Sequence, residues 1–161
     1  EIRLSLVGSE MCIRDSGFAE NIYLDPASRT YVEEAGGANV IFVDKDNNLI
    51  VPKSDSILPS IPRRSLVYVG EHYLGLNVIE RKVALEEVKD FKEAALCGTA
   101  AVLAPIGEIH TKDGVIALPS GMDKMGEISG KLRETLTGIQ ACEIEAPEGW
   151  VVEVCKESDF E

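Results

Sequence analysis

Two short, almost wholly apolar runs, Val40-Ile41-Phe42-Val43 and Leu49-Ile50-Val51, flank the polar segment Asp44-Lys45-Asp46-Asn47-Asn48. Aliphatic, β-branched and aromatic residues without polar alternation mark strands buried on both faces. Asp and Asn in series supply the turn chemistry between them. The pair therefore predicts a buried strand and its hairpin partner. Residues 21–24 read as a strand stopped by Asp25-Pro26, and residues 31–34 as an extended segment interrupted by Gly36-Gly37. Ser60 opens a helix, because its oxygen can cap the first turn and Pro62 is tolerated where N–H groups lack intrahelical partners. Leu66, Val69, Tyr73 and Leu74 keep that helix's apolar face until Gly75. Residues 78–83 are extended, and Leu85, Val88 and Phe91 form a short helical face. Residues 96–104, small and apolar, read as one closely packed strand, and residues 115–118 as a strand after the Lys112-Asp113-Gly114 turn. Residues 126–141 form a helix with Ile128, Leu132, Leu136 and Ile139 on one side. The fold class is α/β (mixed α+β), built from hairpins rather than regular βαβ alternation.

Length and charge narrow the function. With 161 residues, 45% apolar and 27% charged, the chain can bury one real core, which excludes disordered and collagen-like classes. Its 28 acidic against 16 basic residues give a net charge of −12, and no basic cluster exceeds Arg63-Arg64, so nucleic acid is not expected as a partner. Nothing approaches the roughly 18 apolar residues of a membrane-spanning helix. Four cysteines without CxxC or CxxH spacing and two histidines leave little for a metal site, and a reducing, cytoplasmic compartment is expected.

Residues 1–16 match no targeting pattern. Leu6 to Ser16 resembles the translation of a transposon-based sequencing adapter, so the native sequence is expected to begin near Gly17.

Three features carry chemistry. Ser60-Ile61-Pro62 at a helix start presents N–H groups where the dipole favours an anion. Gly98-Thr99-Ala100 offers close backbone approach and a hydroxyl. Glu34 is a carboxylate among residues that look buried, and it needs a cationic or donating partner. Alone, each has a plainer explanation: a helix cap, a tight strand turn, an exposed strand residue. Together, Glu34, Gly36, Asn39 and Val40, followed by Leu58, Ser60, Ile61 and Arg63, resemble the class IV aminotransferase pattern of fold-type IV pyridoxal phosphate enzymes. Cys97-Gly98-Thr99-Ala100-Ala101, Leu136-Thr137-Gly138-Ile139-Gln140 and Trp150 extend that resemblance toward the branched-chain amino-acid aminotransferases.

The resemblance implies that residues 17–161 are an incomplete C-terminal cofactor-binding domain of that architecture. It implies that Glu34 faces the ring nitrogen of pyridoxal 5′-phosphate, that Leu58 packs on the ring, and that the Ser60-Ile61 helix start and Thr99 hold the phosphate. Ala100 would give an amide to the substrate carboxylate, and Gly37 would line the substrate side. The implied substrates are branched-chain amino acids, 2-oxo acids and the 2-oxoglutarate/glutamate pair, and the implied assembly is a homodimer. No metal is implied.

The pattern also departs from the family. Pro62 stands where Thr is common and offers neither amide nor hydroxyl, Ile41 stands where an aromatic is expected, and Val51 replaces a common Thr. Ala101 and Ala104 occupy the positions of a redox CxxC found in some members. The family's Schiff-base lysine lies a few tens of residues before the glutamate, yet no lysine occurs between Gly17 and Glu34. The chain is therefore expected to be a fragment that does not turn over alone. Alternatives are a D-amino-acid aminotransferase, an aminodeoxychorismate lyase, or a non-catalytic anion-binding or assembly domain.

Overall fold

The computed structural model describes residues 13, 15–121, 124–152 and 154. In chain order the elements are β1 (Ile22–Leu24), β2 (Tyr31–Ala35), β3 (Asn39–Val43), β4 (Leu49–Pro52), α1 (Ile61–His72), β5 (Val78–Arg81) and β6 (Val83–Ala84). A 3-10 helix (Leu85–Asp90), β7 (Glu93–Gly98), β8 (Val102–Pro105), β9 (Glu108–Thr111), β10 (Gly114–Ala117) and α2 (Glu127–Gln140) follow.

The apolar pair forms the predicted hairpin, and every residue of β3 and β4 is buried. Asp44 locks the turn: its carboxylate accepts from the backbone N–H of Asp46 and Asn48, both at 2.9 Å, and from Asn48 Nδ2 at 2.7 Å. Strand residues alternate faces, so one strand can serve two cores. Ile41 and Val43 of β3, Leu49 and Val51 of β4, and Ala95 and Cys97 of β7 pack under Leu66 and Val69 of α1 and under Ile128, Leu132, Leu136 and Ile139 of α2. Val40, Phe42, Ile50 and Ala94 enter the opposite core with Val32, Val83, Val88 and Phe91. Each fully buried aliphatic or aromatic side chain contributes about 1.5–3 kcal/mol, so β3 is the strand on which both cores depend.

The central sheet runs β8-β7-β3-β4-β5, antiparallel except for the β4–β5 pair that α1 connects. β2 joins it through one pairing, Glu34 opposite Asn39, and carries β1 and β6. β9 and β10 form a separate hairpin.

Two sequence expectations need correction. Residues 96–104 are not one strand: β7 ends at Gly98, residues 99–101 turn, and Val102, at φ 60°, starts β8 opposite Gly98. Small apolar residues suit one long strand or two facing ones, and here Leu96 and Cys97 lie opposite Ala104 and Leu103. β9 was not expected, because Glu108 and His110 are exposed and give it little apolar content. The long helices start and stop close to the expected residues, with Ser60 capping α1 and Gly126 preceding α2.

Gly126 has no side chain to cap α2, and β7 supplies the cap instead. Glu93, 4% exposed, accepts from Ile128 N at 3.1 Å, from Ser129 N at 2.8 Å and from Ser129 Oγ at 2.7 Å. A Cβ on residue 126 would lie 2.1 Å from the Glu93 carboxyl carbon, so glycine is required there by proximity.

Candidate functional site

The expected residues gather at one end of the central sheet, where β2 and β7 end and β3 begins. Antiparallel pairing of β4 with β3 brings the segment after β4 to the same end, and this segment leads into α1.

β2 turns back into β3 through Gly36 and Gly37, with Ala35 N donating to Ala38 O at 2.8 Å. A Cβ on Gly36 would lie 2.6 Å from Glu20 Oε1 and 2.8 Å from Asn21 Oδ1, so the residue allows residues 20–21 to press on the turn. The hairpin sets Glu34 directly opposite Asn39. Glu34 Oε2 accepts from Asn39 Nδ2 at 3.1 Å and from Leu58 N at 3.0 Å. Oε1 makes no hydrogen bond among the described residues.

The 53–60 segment is fixed from beneath. Glu33, 8% exposed, accepts from Ser54 Oγ at 2.6 Å, and that hydroxyl accepts from Ser56 N at 3.2 Å. Ile57 is buried, which leaves Leu58 above it 70% exposed. Ser60 Oγ accepts from Arg63 N at 3.3 Å, and Ser60 O accepts from Arg64 N at 3.1 Å. Ser60 is thus committed to capping α1. The Ile61 N–H has no partner among the described residues, and Pro62 has no N–H to offer.

Charge at this helix start runs against the chain's acidic average. The first turn of α1 holds no acidic residue and carries Arg63 and Arg64. Arg63 is a strut: Nη2 donates to Pro52 O at 3.1 Å and lies 3.5 Å from Glu80 Oε1, while Nε is buried without a partner. The helix dipole and two guanidinium groups together favour an anion.

Thr99 and Ala100 sit on the exposed β7–β8 turn, and neither their N–H groups nor the Thr99 hydroxyl has a partner among the described residues. A Cβ on Gly98 would lie 3.6 Å from Ala38 Cβ and 3.7 Å from Gly37 O, so this turn lies beside the β2–β3 turn. Cys97 beneath it has its thiol pushed up to about 12 by burial, with Arg63 opposing.

Glu34, Gly37 and Leu58 are therefore in one group, Ser60 and Ile61 continue from Leu58, and Thr99 and Ala100 flank Gly37. Lys45 and Lys53 are outside it, pairing with Asp90 at 3.3 Å and Glu80 at 3.8 Å. Sequence reasoning missed how Glu34 is held. The signal was available in Asn39: five residues on, across a Gly-Gly turn, is the directly opposed position. Its Oδ1 is buried without a partner, at a cost of about 1–3 kcal/mol. The donor set fits a phosphorylated pyridine, with an open carboxylate oxygen for a ring N–H, an exposed leucine for its face, and free N–H and hydroxyl donors at a helix start and a turn for the phosphate. Among the described residues no group of three or more His, Cys, Asp or Glu could hold a metal, and no helix is long and apolar enough to cross a membrane.

Comparison with known proteins agrees. The model of the family "Amino-transferase class IV" matches residues 9–109. The chain is 45% identical over 137 residues to a branched-chain-amino-acid aminotransferase of Haemophilus influenzae, and 40% identical over 140 residues to one of Helicobacter pylori. These alignments cover 85% and 87% of the chain but 40% of each relative, so the chain spans well under half of their length. Among solved structures it resembles the branched-chain amino acid aminotransferase of Thermobaculum terrenum in PLP form, with TM-score 0.70 and 32% identity over 81% of this chain and 40% of that one. It also resembles a branched-chain amino acid aminotransferase complexed with N-(5′-phosphopyridoxyl)-L-glutamate, from the source abbreviated T.th., with TM-score 0.78 and 25% identity over 90% of this chain and 45% of that one. The glutamate between two turns, the capped helix start and the matched family model agree, and the chain belongs to the class IV aminotransferases.

Proposed function

We propose that this chain is the cofactor-holding part of a branched-chain amino-acid transaminase, which exchanges the amino group of leucine, isoleucine or valine with 2-oxoglutarate by a ping-pong route. The observation that carries this reading is Glu34, whose carboxylate is held through Oε2 by two donors while Oε1 stays open. Bound pyridoxal 5′-phosphate supplies an electron sink for the pair released when the substrate Cα loses its proton, and a protonated ring nitrogen deepens that sink. Glu34 holds the proton at that nitrogen. Leu58 covers one face of the ring and keeps water from it. Ile61 N and the amide and hydroxyl of Thr99 bind the phosphate, aided by the field of α1. The Ala100 amide orients the substrate carboxylate, and Gly37 leaves room for the substrate.

Moving the Cα proton needs a base, which in the family is a lysine ahead of the glutamate. The first lysine of these 161 residues is Lys45, which follows Glu34. The chain is accordingly assigned binding and orientation, with the lysine supplied from outside it. The relatives' names and the phosphopyridoxyl-glutamate complex of one neighbour support the substrate class.

A chimera tests this. Residues 17–150 replace the aligned part of the Haemophilus influenzae relative, and transamination of leucine, isoleucine, valine and D-alanine with 2-oxoglutarate is measured. The expected result is turnover of the three branched-chain substrates and not of D-alanine, with a loss of kcat in Glu34→Gln. Preference for D-alanine, or Glu34→Gln turning over like its parent, overturns the proposal.

A further inference from the structure

We propose that Asn39 is a positioning residue, holding the Glu34 carboxylate in the one orientation that leaves Oε1 open to a ring N–H; this rests on the cofactor reading above. Asn39 opens β3, a strand otherwise made of Val, Ile and Phe, and is 5% exposed. Its amide makes one hydrogen bond, from Nδ2 to Glu34 Oε2 at 3.1 Å, and its Oδ1 is buried with no partner. Turning the amide over would set an acceptor against an acceptor at that distance, so Glu34 itself fixes which way the amide lies. A position serving shape alone would carry an apolar residue and avoid the stranded oxygen. The amide is therefore accounted for by what it does to Glu34.

The geometry explains why one bond suffices to orient the group. Glu34 and Asn39 face each other across the β2–β3 hairpin, and Asn39 is also paired with Cys97 of β7, so the donor cannot move without disturbing two ladders. The second donor, Leu58 N, reaches the same oxygen from a segment tethered by Ser54 to Glu33. With both donors on Oε2, a half-turn of the carboxylate brings no new partner within the described residues. Without Asn39, the carboxylate keeps its charge but is held by the loop amide alone.

The test uses the full 161-residue chain and 4′-deoxypyridoxine 5′-phosphate, which lacks the aldehyde and so needs no lysine. The probe carries 15N in its ring. Affinity is read by calorimetry, ring protonation by the 15N shift against pH, and integrity by thermal melting. Asn39→Leu matches the strand and removes the stranded oxygen, and Asn39→Ser stays polar but is too short to reach Oε2. Both are expected to melt no more than slightly below the parent, to bind about tenfold more weakly, and to lose the ring proton at lower pH than the parent does. A merely structural role would move the melting and leave the ring titration unchanged. If both variants bind and titrate like the parent while Glu34→Gln does not, the positioning role is overturned and the cofactor reading stands. If the parent does not bind the probe, or Glu34→Gln titrates like the parent, the cofactor reading itself falls.

Discussion

Removing the carboxylate of Glu93 should detach α2 from the sheet at its N-terminal end. That carboxylate replaces the side-chain cap Gly126 cannot give, accepting from Ile128 N, Ser129 N and Ser129 Oγ at 2.7–3.1 Å. Glu93→Ala loses a helix cap, worth about 1 kcal/mol. It also leaves the donors of Ser129, itself 2% exposed, unsatisfied, at about 1–3 kcal/mol. The favourable placing of a negative charge at a helix start is lost as well, at about 0.5–1 kcal/mol. The total is about 3–4 kcal/mol, a large share of the roughly 5–15 kcal/mol typical of a domain. Glu93→Gln keeps the volume and one acceptor and should lose about half as much. The assay is urea unfolding followed by far-UV circular dichroism, with the midpoint shift read at constant slope. A second measurement isolates the mechanism. Gly126→Ala should be destabilising in the parent, because its Cβ meets the Glu93 carboxyl carbon at 2.1 Å, and much less so in Glu93→Ala. A loss below about 1 kcal/mol for Glu93→Ala, or additive effects of the two substitutions, would refute the reasoning.

Two further outcomes are expected. Pro62→Thr restores an N–H and a hydroxyl to the first turn of α1, and should tighten binding of 4′-deoxypyridoxine 5′-phosphate by about tenfold if one charge-assisted bond forms; calorimetry checks this, and unchanged affinity means the phosphate lies elsewhere. Burial raises the Cys97 thiol from 9.0 to about 12, so the folded chain holds that proton over a range where the unfolded chain has lost it. The corresponding stability is whole below pH 9 and is lost as pH rises toward 12. Cys97→Ala should show a flatter alkaline limb in urea melts, and at pH 8 a thiol reagent should modify exposed Cys142 while sparing Cys97.

The parts of the fold legible in the sequence are those where one physical term dominates. Val40 to Val43 can only be buried, and Ile128, Leu132, Leu136 and Ile139 recur with the helical period, so β3 and α2 could be read directly. The Ser60 cap was equally local. What escaped was non-local or ambiguous. Nothing near Glu93 in sequence points to Ser129, 36 residues on. Residues 96–104 are apolar throughout, and apolarity does not say where such a run folds back on itself. The site was legible as a set of residues, because Glu34, Leu58, Ile61 and Thr99 carry a family pattern. Its internal support was not: Glu33 with Ser54, Arg63 with Pro52 and Glu80, and Asn39 with its stranded oxygen follow from packing of segments distant in sequence.

The central claim is that the β2–β3 turn, the segment leading into α1 and the β7–β8 turn form one site for a phosphorylated pyridine. The direct measurement is an amide chemical-shift map of the 15N-labelled 161-residue chain titrated with 4′-deoxypyridoxine 5′-phosphate. Saturable shifts at Gly37, Leu58, Ile61, Thr99 and Ala100, with the Lys112-Asp113 turn of the separate β9–β10 hairpin unmoved, are the expected result. Shifts centred on that hairpin, or Ile61 and Thr99 remaining still while the probe binds, would contradict it.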